Sequence, residues 1–402
     1  MAVHVQAGVQ LVQLQNGDIA VLLTPGSAVT YDDHHTMQEK VAAVSGIASA
    51  AAIDAAAAVA AVANIEHITP SPIFGIARVR TGGGNGLWFH TDKDGNPQSL
   101  NTTYFDRHPV YGNIKRTLID GQIMNSVPKF YIKHMVPATG QLAGCPVTLI
   151  SPAPLEGYHV HPAFMHNGQE IDQFYLGCYE GSSSNGTKLE SVPGVLPAGN
   201  YTIAAFRAMC SARNEGGVSG FMMQSVYQRA AIQLLILAEY ANPNAQSYLG
   251  AGNTNSSALV TVDSSLSHTP WRNFHSLYGN SQEFIDGINL GTARNISIWD
   301  KQGAQTYINT ALIMGAVSTA WIVDMRTDAA DDYNLRDVFI PHTTSAAQTD
   351  SSYGCGARNI AADSGLSVGD TYTRGTAAGI FALTGIPTAN VGPATGTRLA
   401  KI

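Results

Sequence analysis

Charge is what this chain of 402 residues most lacks: Asp, Glu, Lys and Arg together make up 13% of it, about half the quarter usual in soluble domains. Cations are the scarcer sign, with 22 Lys+Arg against 29 Asp+Glu and a formal net charge of -7. So few cations neutralise few phosphates, and no nucleic-acid partner is expected. Cysteine is also sparse. Cys145, Cys178, Cys210 and Cys355 lie far apart with no CxxC spacing, which argues against a zinc knuckle. Their pairing is not legible in the sequence, and free buried thiols are favoured over disulfides. Long apolar runs are missing as well. The stretch 47–63 is alanine-rich and broken by Ser49 and Asp54, and 230–238 is too short for a bilayer, so no membrane insertion is expected. The start, MAVHVQAGVQ, has no basic region and no apolar h-region, hence no secretory signal is expected.

Hydrophobic content is ordinary at 45%, so Gly, Ser, Thr, Asn and Ala have taken the place of charge. Disorder needs low hydrophobicity with high net charge, and neither holds. The length suggests two or three domains. Residues 1–35 read as a small β attachment segment: Val3, Val5, Val9, Leu11 and Leu14 precede Asn16-Gly17, and Ile19, Val21 and Leu23 follow. Asn-Gly between such runs is a strong hairpin signal, because both residues accept positive φ. Residues 36–68 read as a helix. Thr36 and Glu39 form a capping box, and ten of the fourteen residues from Ala50 to Ala63 are Ala. A heptad seam from Met37 through Val41, Val44, Ala48, Ala51, Ala55, Ala58 and Val62 to Ile65 fits an oligomerising coiled coil. A single surface helix also fits, and Gly46 weakens either. Residues 69–103 read as a connector with short strands, in which Asp92–Asn96 is a hairpin turn lacking the later Glu of a calcium loop.

From Tyr104 the chain reads as one loop-rich region with a clear helix at 225–240, a shorter one within 198–214, and long polar loops at 243–269 and 342–371. Five segments there carry a resemblance: TLIDGQIMNSVPKFYIK (117–133), GYHVHPAFMHNGQEIDQFYLGCYE (157–180), the helix 225–240, WRNFHSLYGNSQEFIDGINL (271–290) and GTAAGIFALTGIPTANVGPATGTRL (375–399). In this order they resemble the C-type-lectin-fold modules of bacteriophage tail-fibre and receptor-binding proteins, which share their fold with formylglycine-generating enzymes. Tyr278, Gln282 and Phe284 stand where many members carry tryptophans. The resemblance implies an α+β fold: a C-type-lectin-like domain at 104–402 with short strands, long loops and two helices, behind a β-hairpin and an Ala-rich coiled-coil helix. Its C-terminus returns beside the first strands.

The resemblance also implies a virion fibre or receptor-binding protein, made in the host cytoplasm without a signal peptide. A homotrimer is expected, joined to other virion proteins through 1–68 and recognising a host-surface glycan or protein. A structural virion protein, such as a head-decoration or collar fibre, is the alternative. No enzyme and no cofactor are expected, since only Cys355 lies where the oxidase branch keeps a close cysteine pair. The binding face is expected in 351–374, through Tyr353, Arg358, Asn359, Asp363, Tyr372 and Arg374, flanked by Trp271, Arg272, Phe274 and His275. Rigid aromatics, Arg and adaptable polar residues suit such a face.

Other chemistry is thin. His159-Val160-His161 puts two imidazoles on one side of a strand, a weak metal candidate against a turn at His161 before Pro162. Glu170 with Asp172, and Glu283 with Asp286, have glycosidase-like spacing, yet both fall in structural segments. The GxSxG at 365–369 has no His after Ser367, so no nucleophile elbow is expected.

Overall fold

The computed structural model describes residues 8–13, 19–24, 71–79, 87–389 and 391–402. Two compact units divide the chain, Met1–Pro70 and Ser71–Ile402. In the first, β1 (Gly8–Gln13) and β2 (Ile19–Thr24) pair antiparallel, with Gly8 opposite Thr24 and Gln13 opposite Ile19. This is the hairpin read from the sequence. Its Asn16-Gly17 turn, and the capping box and Ala-rich seam of 36–68, lie outside the described residues.

The second unit is α+β and mostly strand. It opens with β3 (Phe74–Val79), β4 (Leu87–Thr91), α1 (Thr102–Arg107), β5 (Lys115–Ile119), β6 (Gln122–Pro128), β7 (Tyr131–Met135), β8 (Val147–Ser151) and β9 (His159–Val160). There follow β10 (Met165–His166), β11 (Gln169–Glu170), β12 (Gln173–Gly177), α2 (Ile203–Ser211), β13 (Phe221–Met223), α3 (Val226–Tyr240) and α4 (Gln246–Leu249). Strands then dominate: β14 (Gln282–Leu290), β15 (Asn295–Trp299), β16 (Tyr307–Ile313), β17 (Val317–Met325), β18 (Pro341–Ser345) and β19 (Gly356–Ile360). The last are β20 (Ser364–Gly369), β21 (Gly379–Pro387), β22 (Thr395–Thr397) and β23 (Leu399–Lys401).

Among the described residues three larger sheets result, ordered β4-β3-β8-β7-β9, β13-β23-β12-β6-β5, and β16-β15-β14-β20-β21-β19-β17-β18 with β22 on β14, and β10 pairs with β11 in a small fourth. The C-terminal β23 lies between β12 and β13, with Lys401 opposite both Tyr175 and Phe221, so the chain end does return beside earlier strands. Two sequence readings change. The connector 69–103 is no connector, because β3 is a central strand with Phe74 opposite Ile150 of β8. The polar loop 342–371 is largely β18, β19 and β20. Its Ser and Gly conceal strands, of which β20 is buried along its whole length. Segment 243–269 does remain loop apart from α4.

Helix α3 is the centre of the core. Ser225 caps it, its side chain accepting from Gln228 N at 3.1 Å while Gln228 Oε1 accepts from Ser225 N at 2.9 Å. Every residue from Val226 to Ala238 is buried, so the helix is covered all round rather than along one stripe. Phe74, Phe105, Phe130, Phe164, Phe174 and Trp271 belong to the same cluster.

This encirclement traps Arg229, whose guanidinium meets Glu283 of β14 at 3.5 Å, both side chains at most 2% exposed. Arg398 closes the network, reaching Glu283 at 2.8 Å and donating to the carbonyls of Gly177, His275 and Ser276 at 2.9–3.0 Å. Glu180 lies beside it, accepting from Asn280 Nδ2 at 2.7 Å and Ser281 N at 3.0 Å. Burial first, and then the Glu283 charge, push the Glu180 carboxyl up to about 8 against those hydrogen bonds and Arg398. Asn280 in turn pins the long loop through Asn253 and Val260.

Removing one partner from a buried ion pair costs about 3–5 kcal/mol. Arg398→Met should therefore lower the unfolding free energy by about that amount in urea titrations. Glu180 makes a pH signature. Its native carboxyl keeps a proton to about 8, whereas an unfolded one releases it near about 4.3. Between those values the native state binds the extra proton, so this group makes stability fall as pH rises. Midpoints measured from pH 4.5 to 8 should thus drop more steeply for the native sequence than for Glu180→Gln; parallel curves would refute the assignment.

Candidate functional site

The structure takes the expected 351–374 face apart. Tyr353 is a core residue, 5% exposed, with its ring edge-on to Trp88 and Phe381; as an exposed contact it is corrected. Trp271 is likewise buried at 2%, its Nε1 donating to Glu239 at 2.8 Å, and Phe274 stacks behind it. The arginines are already engaged. Arg358 forks onto Asp370 at 2.7 and 3.0 Å and reaches Gln282, Arg374 lies 3.4 Å from Asp370, and Arg272 bridges Glu239 and Asp106. Tyr372 is half-buried. Asn359 and Asp363 do reach the surface, both on left-handed backbone with φ of 52° and 53°. The face collapses because β19 enters the sheet between β17 and β21, which carries the segment inward.

The concave site lies elsewhere, in a cleft of about 380 Å³. Its apolar floor is Ile76 of β3, Ile132 of β7, Val147 of β8 and Leu234 and Leu237 of α3. Polar groups stand around it. Arg78 donates to Asp324 at 2.6 Å and to the Val323 carbonyl at 2.6 Å, and lies over the rings of Tyr353 and Trp88. Arg326 and Arg336 stand along the wall, and Val136, Thr327 and Arg336 are the exposed residues of the mouth.

At one end Asp337 takes a hydrogen bond from each of two imidazoles, His134 Nε2 at 2.8 Å on Oδ1 and His159 Nε2 at 2.9 Å on Oδ2. Burial alone raises its carboxyl, but these two hydrogen bonds and the imidazole charges outweigh it and hold the group well below the usual carboxylate range. Strands β7 and β9 bring the histidines together, with Ile132 opposite His159. The weak candidate pairing of His159 with His161 is absent, and the turn read at His161 before Pro162 is the one found. Strand β9 is two residues long, and His161 caps the following 3-10 turn Pro162–Phe164, accepting from Ala163 N at 3.2 Å. Its ring is buried against Phe130 and Phe164, and burial lowers it to about 4.

A second cluster joins Asp263, His268 and His275, where one carboxylate oxygen lies 3.0 and 3.1 Å from the two Nδ1 atoms. His275, expected at the binding face, instead stacks on Tyr179 and is half-buried, and burial lowers its pKa. The carboxylate pairs of glycosidase-like spacing are all engaged with cations: Glu170 and Asp172 with Lys129, Glu283 with Arg398, and Asp286 with Arg207. Ser367 is buried inside β20. No local pattern foretold the cleft, since His134 and Asp337 are 203 positions apart.

No family model matches the chain, and no curated protein matches it. Among solved structures it is similar to Treponema denticola variable protein 1, with a TM-score of 0.32 and 11% identity over 71% of this chain and 98% of that one. It is also similar to PvdO from Pseudomonas aeruginosa, with a TM-score of 0.27 and 11% identity over 72% of this chain and 98% of that one. Likenesses this distant place no constraint on the site.

The four thiols are free and belong to four separate clusters. Burial pushes Cys178 up to about 12 and raises Cys210 and Cys355 further. A thiol reagent acts on the thiolate and needs access. Native protein should therefore label at one thiol, the partly exposed Cys145, and at all four once unfolded. Fast native labelling of Cys355 would contradict this burial.

Proposed function

We infer that the chain is a non-enzymatic component of a bacteriophage virion, a fibre or receptor-binding protein. Residues 71–402 act as its C-type-lectin-like head and recognise a host-surface glycan or protein. The ordered sequence segments of 117–399 support the family reading, and the cleft supports recognition. An apolar floor carried on three strands of one sheet and on α3, ringed by Arg78, Asp324, Arg326, Arg336 and Asp337, is the composition of a small-ligand pocket. It suits one residue-sized polar group, such as a sugar unit of a surface glycan. Residues 1–68 join other virion proteins and assemble a homotrimer.

The structural alternative, a decoration or collar fibre, has one observation in its favour. Arg272, Arg358 and Arg374 are all satisfied by the chain's own carboxylates, so the expected face has little left to offer a receptor.

Adsorption of the full-length protein to whole bacterial cells and to immobilised glycans separates the readings. Recognition by the cleft predicts at least about tenfold weaker binding for Val136→Trp, which fills the mouth, and for Arg336→Ala, with thermal stability kept because both sites are exposed. Undiminished binding in both variants removes the cleft from recognition. No binding by the native sequence to any host surface favours the structural role.

A further inference from the structure

The geometry points to a binding site for one divalent first-row transition ion, of Zn2+ or Fe2+ chemistry, formed by His134 Nε2, His159 Nε2 and the Asp337 carboxylate where the cluster meets the cleft. It goes beyond the recognition reading and stands without it. The three donors come from β7, β9 and the 3-10 turn Leu335–Asp337, and their ligand atoms all lie within 4.8 Å of one another. Two imidazoles and a carboxylate suit borderline ions, whereas Ca2+ and Mg2+ prefer all-oxygen sets. Three protein ligands leave coordination positions open. His134 and Asp337 also line the cleft, so an open position there faces space that an exogenous oxygen or nitrogen donor can enter.

The surroundings are those of a built site. Thr148 Oγ1 lies 3.1 Å from the other ring nitrogen of His134 and fixes that ring. Asn334 Nδ2 donates to Asp337 Oδ2 at 3.0 Å. Outer partners of this kind orient metal ligands. Ligands around a tetrahedral ion with 2.0 Å bonds are about 3.3 Å apart. Loading therefore widens the present 2.8 and 2.9 Å contacts by about half an ångström, a small swing of the carboxylate. His159, whose side chain is 44% exposed, provides the way in. The Asp263 cluster has no such anchor, since it is mostly exposed and shares a single oxygen between its imidazoles.

The test uses chelator-treated full-length protein, with Zn2+ followed by calorimetry and Co2+ by its visible absorption. The expected result is one equivalent of either ion, a Co2+ band of tetrahedral or five-coordinate intensity, and loss of both in His134→Ala, His159→Ala and Asp337→Asn. Thr148→Val should weaken binding about 10–100-fold, and His268→Ala should leave it unchanged. Circular dichroism checks folding; if the two more buried variants misfold, the half-exposed His159→Ala decides alone. Binding that survives His159→Ala, disappears only with His268→Ala, or is absent at 100 µM of either ion (roughly the weakest affinity of interest, about 5.5 kcal/mol) overturns the assignment.

Discussion

Two guanidiniums and one carboxylate, withdrawn together from water, tie the second unit together. Arg229 belongs to α3, Glu283 to β14, and Arg398 to the link between β22 and β23. Each ion pays a desolvation penalty of several kcal/mol, and only a nearly complete set of partners offsets it. The partners come from distant parts of the chain: carbonyls of Gly177, His275, Ser276 and Leu277 accept from the two arginines. A slip of β14 or β23 by one residue would turn a charge away from its counter-ion and leave it buried. The network therefore acts chiefly on register. It also explains the position of the C-terminus, because Arg398 cannot reach Glu283 unless the adjoining β22 and β23 pair with β14 and β12.

Scarcity of charge and internal use of charge are two sides of the same design. With only 13% of residues charged, a large share of the cations is spent inside. Arg78, Arg213, Arg229, Arg326 and Arg398 are buried, each with a carboxylate partner. The arginines expected to meet a receptor follow the same rule. The residue mixture of 351–374 and the resemblance placed Arg358 and Arg374 on a binding face, but Asp370, 3% exposed, is the anion that claims both. A loop with Tyr, Arg, Asn and Asp reads equally as a paratope or as a polar core, and only the counter-ion decides between them.

What was legible was local. The helix at 225–240, the helix within 198–214 and the first hairpin follow from signals a few residues long, and the return of the C-terminus was implied only by the resemblance. What was not legible depends on pairing across hundreds of positions. Strand β20 carries Ser and Gly where a strand pattern wants alternating apolar residues, because it lies between β14 and β21, is covered on both faces and needs small side chains rather than alternation. The tight bulge at Asp286-Gly287 is of this kind too. Gly287 has φ of 80°, and a Cβ there would come within 2.6 Å of the Trp299 ring. The same bulge turns Asp286 towards Arg207, which grips it at 2.7 and 2.8 Å.

The histidines show why alternation is a poor guide at the end of a strand. Side chains two apart share a face only while the strand persists, and β9 stops at Val160. Pro162 then opens a 3-10 turn, which makes His161 a cap and rotates it into the core. His159 keeps its strand position and so faces what β7 presents beside it, His134, and beyond that Asp337. A pairing two residues apart was thus exchanged for one between three segments whose only relation is the sheet. That relation also gives the cluster its rigidity. Two donors sit on hydrogen-bonded strands and the third on a turn capped by Asn334, so each donor is carried on anchored backbone and only the side chains are left to move.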